Sequence, residues 1–227
     1  MALALSVVFT WCAIRILPRF GYVRNPGGRH IHKTLVPRGG GIAVVLSFFI
    51  ALAMYALDCR SSGDSQMFFW KLFIPAVILT ALGMFDDRYE LRSWTKLLVQ
   101  ILVAMIIFKL NACEYTVCGW KMPIYYSLPL TIAWIIIVVN AFNLIDGLDG
   151  LAAGLAVISA SCMTIWFLLV GNHMKEAVTF LILAGSALGF LRYNFHPAKI
   201  FLGDTGSMFL GFVFAVLSLS TVDRAVT

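Results

Sequence analysis

The sequence predicts an all-α fold, a polytopic bundle of transmembrane helices, and three observations predict it. The 227 residues are 61% hydrophobic and only 12% charged, whereas a soluble domain is about half apolar and roughly a quarter charged. Mean hydropathy is +0.91. The apolar residues gather into about eight runs with polar loops between them, and the basic residues fall unevenly over those loops. A net charge of +6 therefore reads first as a topology signal and not as a nucleic-acid surface.

The runs, in order, are Leu3–Leu17, Ile42–Leu57, Leu72–Phe85, Leu97–Leu110, Leu128–Val139, Leu155–Val170, Ala177–Leu191 and Met208–Val222. Several are shorter than the ~20 residues a span needs, and Trp70, Trp94 and Trp134 are placed to complete them as interfacial anchors. The first run has no basic residue before it and Arg15 and Arg19 after it. A cleavable signal peptide has the opposite order, so Met1 is expected outside, with the first helix retained. Eight spans put Arg15, Arg19, Arg24, Arg29, Lys33, Arg38, Arg88, Arg92, Lys96, Arg192 and Lys199 on one side. Arg60, Lys71, Lys109, Lys121, Lys175 and Arg224 fall on the other. The richer side should be cytoplasmic. No repeat, low-complexity run or linker divides residues 1–227, so a single integral-membrane domain is expected. Of the five cysteines, Cys12 and Cys162 lie in apolar runs and read as packing residues. Cys59 lies in an outer loop, and Cys113 and Cys118 share another, where they could pair on an oxidising side.

Every polar motif lands on the predicted cytoplasmic side. NAFNLIDGLDGLAAG (Asn140–Gly154) sets two amides, two carboxylates and three glycines where an apolar run ends. At helical spacing Asn140, Asn143, Asp146 (or Gly147) and Gly150 share a face. Polar groups at a membrane boundary are costly, which makes the cluster a functional candidate as well as a polar turn. Asp86 and Asp87 are adjacent at the end of the third run, where a helix C-terminus disfavours anions. Such a pair raises one pKa or recruits a cation, unless Arg88 and Arg92 simply neutralise it. Lys96 and Gln100 sit one turn apart on the next helix. Asp204 lies between Gly203 and Gly206 in FLGDTGS, either to bind Mg²⁺ or, with Ser207, to cap the last helix. RNPGGRHIHKTLVPRGGG (Arg24–Gly41) and RYNFHPAKIF (Arg192–Phe201) add Lys33, Arg38, Arg192, Lys199, His30, His32 and His196. Carboxylates for a hard cation beside bases for phosphate suit phosphoryl transfer, and a site at the membrane surface points to a lipid substrate. There is no GxxxxGK[ST], GxGxxG or HExxH, so neither a standard nucleotide cradle nor a zinc helix is present. The histidines read as phosphate contacts or as ordinary interfacial residues.

DDRYELRSWTKLLVQ (Asp86–Gln100), NAFNLIDGLDGLAAG and PAKIFLGDTGSMFLG (Pro197–Gly211) resemble, in order, the signature stretches of the polyprenyl-phosphate N-acetylhexosamine-1-phosphate transferases. The early PRGGG is similar to the loop of the branch that starts enterobacterial common antigen, O-antigen and teichoic acid synthesis. It is less like that of the phospho-MurNAc-pentapeptide translocases. The resemblance covers nearly the whole chain. It implies transfer of a sugar-1-phosphate, GlcNAc-1-phosphate first, from a UDP-amino sugar to undecaprenyl or another polyprenyl phosphate, releasing UMP. It also implies a need for Mg²⁺ or Mn²⁺ and an active site on the cytoplasmic face of the plasma (inner) membrane, and it is compatible with a homodimer.

Carried over by motif position, Asp204 is the metal ligand and a catalytic residue. Asp86 or Asp87 acts on the lipid phosphate or as nucleophile, with one-step and two-step routes both open. Asn143, Asp146 and Asp149 line the nucleotide–metal site, Asp149 as its second metal carboxylate. Phe201 stacks on uracil with Asn194 nearby, and Lys96, Lys33 and Arg38 meet substrate phosphates. Family members have about ten or eleven spans and a histidine-rich loop near the C-terminus. The resemblance thus implies a chain incomplete at that end, whose 227 residues alone turn over weakly or not at all. Two other classes compete. A cation transporter needs polar residues near mid-membrane or on both faces, and here they gather at one. A CDP-alcohol phosphotransferase needs a DG-x2-AR signature, which is missing.

Overall fold

The computed structural model describes residues 1–24, 36–58, 63–110, 116–117, 120–121, 123–170 and 173–222. Cys59, Cys113 and Cys118 lie outside them. Each apolar run becomes one helix: α1 (Ala2–Ile16), α2 (Gly41–Asp58), α3 (Gly63–Tyr89), α4 (Ser93–Lys109), α5 (Ile124–Ile145), α6 (Leu151–Val170), α7 (Met174–Asn194) and α8 (Gly203–Val222). A 3₁₀ turn, Leu17–Phe20, follows α1, and two short antiparallel pairings, Val23–Arg24 with Val36–Pro37 and Thr116–Val117 with Trp120–Lys121, trim the loops. Among the described residues six helices are long and apolar enough to cross a membrane; α4, with 17 residues, and the apolar part of α8 are shorter. Seventeen residues rise about 25 Å, against a hydrocarbon core of about 30 Å. The chain is an integral membrane protein.

The helices outrun the apolar runs mainly at the end that carries the motifs. α3 continues past Asp86 and Asp87, α5 through Asn140 and Asn143, and α8 begins at Gly203 rather than Met208. Those polar side chains face partners inside the bundle, so the backbone stays helical where hydropathy falls. α5 then stops at Ile145, and Gly150 sits in the following turn with φ +73°. The expected shared helical face therefore holds for Asn140 and Asn143 but not for Gly150.

The centre of the bundle is α8, packed against α2, α3 and α5. It is apolar all round, as a fully enclosed helix should be: Met208, Phe209, Leu210, Phe212, Val213, Ala215 and Leu217 are completely buried. Phe209 meets Phe48 and Phe49 edge-on at 5.3 and 5.8 Å, and Phe142 stacks on Phe214 at 5.1 Å. Lipid supplies little hydrophobic drive between helices, so close packing and small residues must do more. Ser6 on α1 donates to the Ser186 carbonyl of α7 at 2.6 Å. Outward-facing Ile137, Ile158, Trp166 and Leu169 are exposed, as lipid contacts are. Cys162 is also exposed and Cys12 half-buried, so Cys162 is not the packing residue its apolar run implied. Trp134 is more than an anchor: its indole N–H donates to Ser218 on α8 at 3.1 Å.

Around the first turn of α8 the helices touch through backbone. A Cβ on Gly41 would collide with the backbone of Gly206, and one on Gly83 would lie 2.6 Å from Thr205 Cα. Gly83→Ala is expected to destabilise the protein by about 1–3 kcal/mol through overpacking. Gly154→Ala on α6, where a Cβ meets nothing within 4 Å, should be neutral or stabilise by up to about 1 kcal/mol. Thermal unfolding in detergent reads both, and equal melting temperatures for the two variants would contradict this packing.

Candidate active site

The site forms where the end of α3, the starts of α4 and α8, the end of α5 and the Val36–Gly41 segment meet. That segment is clasped to residues 201–202 by three backbone hydrogen bonds. Phe201 N–H donates to Pro37 O, Gly40 N–H to Phe201 O and Gly41 N–H to Leu202 O, each at 2.9 Å. The clasp fixes Arg38 over the beginning of α8.

Among the described residues, Arg38 and Lys96 are the cations that pair with the clustered carboxylates. Arg38 Nε meets Asp87 Oδ1 at 2.9 Å and its Nη2 meets Asp204 Oδ1 at 2.6 Å. Lys96 Nζ bridges Asp86 Oδ2 at 2.8 Å and Asp204 Oδ2 at 3.0 Å. Asn143 Nδ2 reaches the same Asp204 oxygen at 3.4 Å, and its amide oxygen accepts from Ser207 Oγ at 3.1 Å. Asp146, just past α5, accepts the Gly203 N–H at 3.1 Å. Asp86, Asp87, Asp146, Asp204, Asn143, Arg38 and Lys96 are thus brought together from segments far apart in the sequence.

Their surroundings set their charge. Burial pushes the Asp146 carboxyl up to about 8, helped by the negative Asp87 and Asp204 and opposed by the Gly203 N–H. Burial works against the charge on Arg38, but Asp87 and then Asp204 outweigh it and hold its pKa above the ordinary value. Arg38 and Lys96 keep 21% and 22% of their side chains open to a ligand, whereas Asp87 keeps none.

Several sequence expectations change here. The cations on the adjacent aspartates are Arg38 and Lys96, not Arg88 and Arg92. Arg88 donates to the Phe20 carbonyl and lies 5.7 Å over the Tyr22 ring, and Arg92 is exposed. Neither Asp204 nor Ser207 caps α8. Asp87 does so from α3, accepting from the N–H groups of Asp204 (2.8 Å) and Thr205 (3.1 Å) and from the Thr205 hydroxyl (2.6 Å). Thr205 was not singled out in the sequence; its only signal is a hydroxyl in the first turn of a helix that begins GDTGS. Gln100 turns from Lys96 toward Asn140, whose Nδ2 donates to it at 2.8 Å.

The second part of the site lies along the turn after α5. Asp149 Oδ2 meets His196 Nδ1 at 3.0 Å and accepts the Ala198 N–H at 3.1 Å. Those contacts tie it to residues 196–198, while Asp204 is held by Arg38, Lys96 and Asn143. Asn194 is almost wholly buried and used at both ends, accepting from Gly150 N–H at 3.1 Å and donating to Ile200 O at 2.9 Å. It staples the loops instead of presenting its amide outward. Phe201 is half-buried between the clasp and α8. Lys33, His30 and His32 lie outside the described residues.

Could a divalent cation be held here? Among the described residues no three His, Cys, Asp or Glu are arranged to hold a metal by themselves. The donors are all oxygens, however, which suits a hard cation. Mg²⁺ characteristically takes one or two carboxylates and fills its remaining positions with water and substrate phosphates. The residues fit a cation shared with a phosphate ligand, not a preformed cage.

The sequence model of glycosyl transferase family 4 matches residues 69–222. A probable undecaprenyl-phosphate N-acetylglucosaminyl 1-phosphate transferase of Bacillus subtilis is 37% identical over 100% of this chain and 63% of its own length. A decaprenyl-phosphate N-acetylglucosaminephosphotransferase of Mycobacterium leprae is 37% identical over 88% of this chain and 54% of its own. A phospho-N-acetylmuramoyl-pentapeptide-transferase of Staphylococcus carnosus is 34% identical over 88% of this chain and 68% of its own. The chain therefore spans 54% to 63% of the length of the first two relatives. The match runs from α3 to α8 and takes in every carboxylate of the cluster, and on it the chain belongs to glycosyl transferase family 4.

Proposed function

We propose that the protein carrying this chain transfers a sugar-1-phosphate, GlcNAc-1-phosphate first, from a UDP-sugar to a polyprenyl phosphate such as undecaprenyl phosphate, with release of UMP. The observation that carries this reading is the charge balance at the start of α8. Among the described residues three carboxylates, Asp86, Asp87 and Asp204, share the cations Arg38 and Lys96 there, with Asp146 beside them on the Gly203 N–H. An anionic site of this kind repels a diphosphate unless a divalent cation comes with it, and its oxygen donors suit that cation. The names of the relatives supply the polyprenyl phosphate and the amino sugar.

Asp204, with Asn143 beside it, would hold Mg²⁺ or Mn²⁺ against the diphosphate, and the ion would neutralise charge developing on the phosphoryl oxygens. Arg38 and Lys96 are accessible enough to turn from carboxylates to phosphates once those arrive. Asp86 is buried, with one oxygen on Lys96 and the other on the Leu91 N–H, and the two helices that carry Asp86 and Lys96 expose the apolar Phe85, Tyr89, Trp94 and Leu98. An isoprenoid tail would lie along that apolar strip with its phosphate at Lys96, and Asp86 would orient the phosphate or take its proton. We assign Asp149, His196 and Phe201 to the nucleotide end. This site would face the cytoplasm, in keeping with the bias of Lys and Arg toward its loops.

A test is UMP release by the full-length protein with a panel of UDP-sugars. Release should require both polyprenyl phosphate and a divalent cation, and UDP-GlcNAc should be the best donor. Absence of UMP with every donor would remove this reading.

A further inference from the structure

Asp86 and Asp87 are neighbours in sequence but not in role. A general base or nucleophile must reach its substrate. The Asp87 side chain has no exposed surface, and both its oxygens are spent. Oδ1 takes the Asp204 N–H and Arg38 Nε, and Oδ2 takes the Thr205 N–H and hydroxyl. Gly203 completes the arrangement. Its φ is +74°, and a Cβ there would lie 2.5 Å from Asp87 Oδ2. The carboxylate therefore occupies the space that any side chain at position 203 would need. Two of the four N–H groups left open at a helix start are satisfied by a charge from another helix, and the residue between those contacts is Asp204.

We propose that Asp87 is a positioning residue and not a reacting group: with Thr205 it fixes the first turn of α8 and so sets where the Asp204 carboxylate stands. This rests on the transfer reading above, in which Asp204 holds the divalent cation. Loss of a base or nucleophile cannot be repaired by more metal. Loss of a group that aims a metal ligand can be, because it weakens metal binding by about 10- to 100-fold.

The experiment uses the full-length protein, with Mn²⁺ as the probe, and the variants Thr205→Val, Thr205→Ser and Asp87→Asn. Mn²⁺ binding with UDP-GlcNAc present is read by electron paramagnetic resonance, and the Mn²⁺ dependence of UMP release is followed in parallel. Thr205→Val, which leaves both aspartates in place, should weaken Mn²⁺ binding about tenfold. Saturating Mn²⁺ should restore most of its kcat, and Thr205→Ser should behave like the wild type. Asp87→Asn should weaken Mn²⁺ binding further. Should Asp87→Asn bind Mn²⁺ and nucleotide normally yet fail to turn over at any Mn²⁺ level, Asp87 reacts and the proposal falls. Normal Mn²⁺ binding by Thr205→Val would also overturn it. If the wild type binds neither Mn²⁺ nor UDP-GlcNAc, the transfer reading fails instead. The positioning claim is then decided by amide exchange over residues 203–207, which should quicken about tenfold in Thr205→Val and would refute the claim if unchanged.

Discussion

Asp204→Asn should lower UMP release by about 100- to 1000-fold, the range seen when one preorganised electrostatic contact to a transition state is removed. In the wild type one oxygen of Asp204 receives Arg38 and the other receives Lys96 and Asn143. An asparagine has one acceptor and one donor, so its NH₂ must face a cation or the Asn143 amide. The substitution thus removes the carboxylate that would hold the metal and sets two donors against each other. Helix α8 should survive, because its cap is made by the backbone N–H of residue 204 and by Thr205. Fold is checked by thermal unfolding and metal by Mn²⁺ resonance. Release above a tenth of the wild-type rate would remove Asp204 as the metal ligand.

The second large effect is on pH. Asp146 stands at about 8 in the folded protein and near 3.9 when unfolded. Between those values the folded state holds a proton that the unfolded state has lost, so stability falls as pH rises and levels off above about 8. Asp146→Asn keeps the size, stays neutral and leaves an oxygen for the Gly203 N–H. Relative to the wild type it should gain stability as pH rises from 5 to 8, by an amount on the order of a few kcal/mol. Melting temperatures of both proteins from pH 5 to 9 test this, and parallel curves would refute it. A divalent cation favours the ionised form, so Mn²⁺ should narrow the gap above pH 8.

The helix count was legible because each apolar run is unbroken by the polar face a soluble helix carries, and the motif positions because charges are rare in such a chain. Helix ends were not. Hydropathy drops at Asp86, Asn140 and Gly203, yet the backbone stays helical because their partners lie across the bundle. Those partners are what a linear reading misses. Arg88 and Arg92 are the nearest cations to Asp87 in sequence, but Arg38 holds it, placed by a clasp with residues 201–202. Likewise FLGDTGS shows a capping candidate in itself, while the cap comes from α3. Asn194 was legible as polar and near the site; its burial as a staple depends on Gly150 and Ile200 both arriving beside it.

The trans-helix cap also bears on biogenesis. Asp87 precedes Thr205 by 118 positions, and a ribosome adds about 5–20 residues per second. For on the order of ten seconds the nascent protein holds a carboxylate at the end of α3 whose helix does not yet exist. Arg38 has already been made, and even before residues 201–202 arrive to clasp its segment an ion pair with it would shelter that charge while α3 enters the bilayer. Arg38 would then serve as an assembly clamp before any role in the site, and its loss should lower the yield of inserted protein.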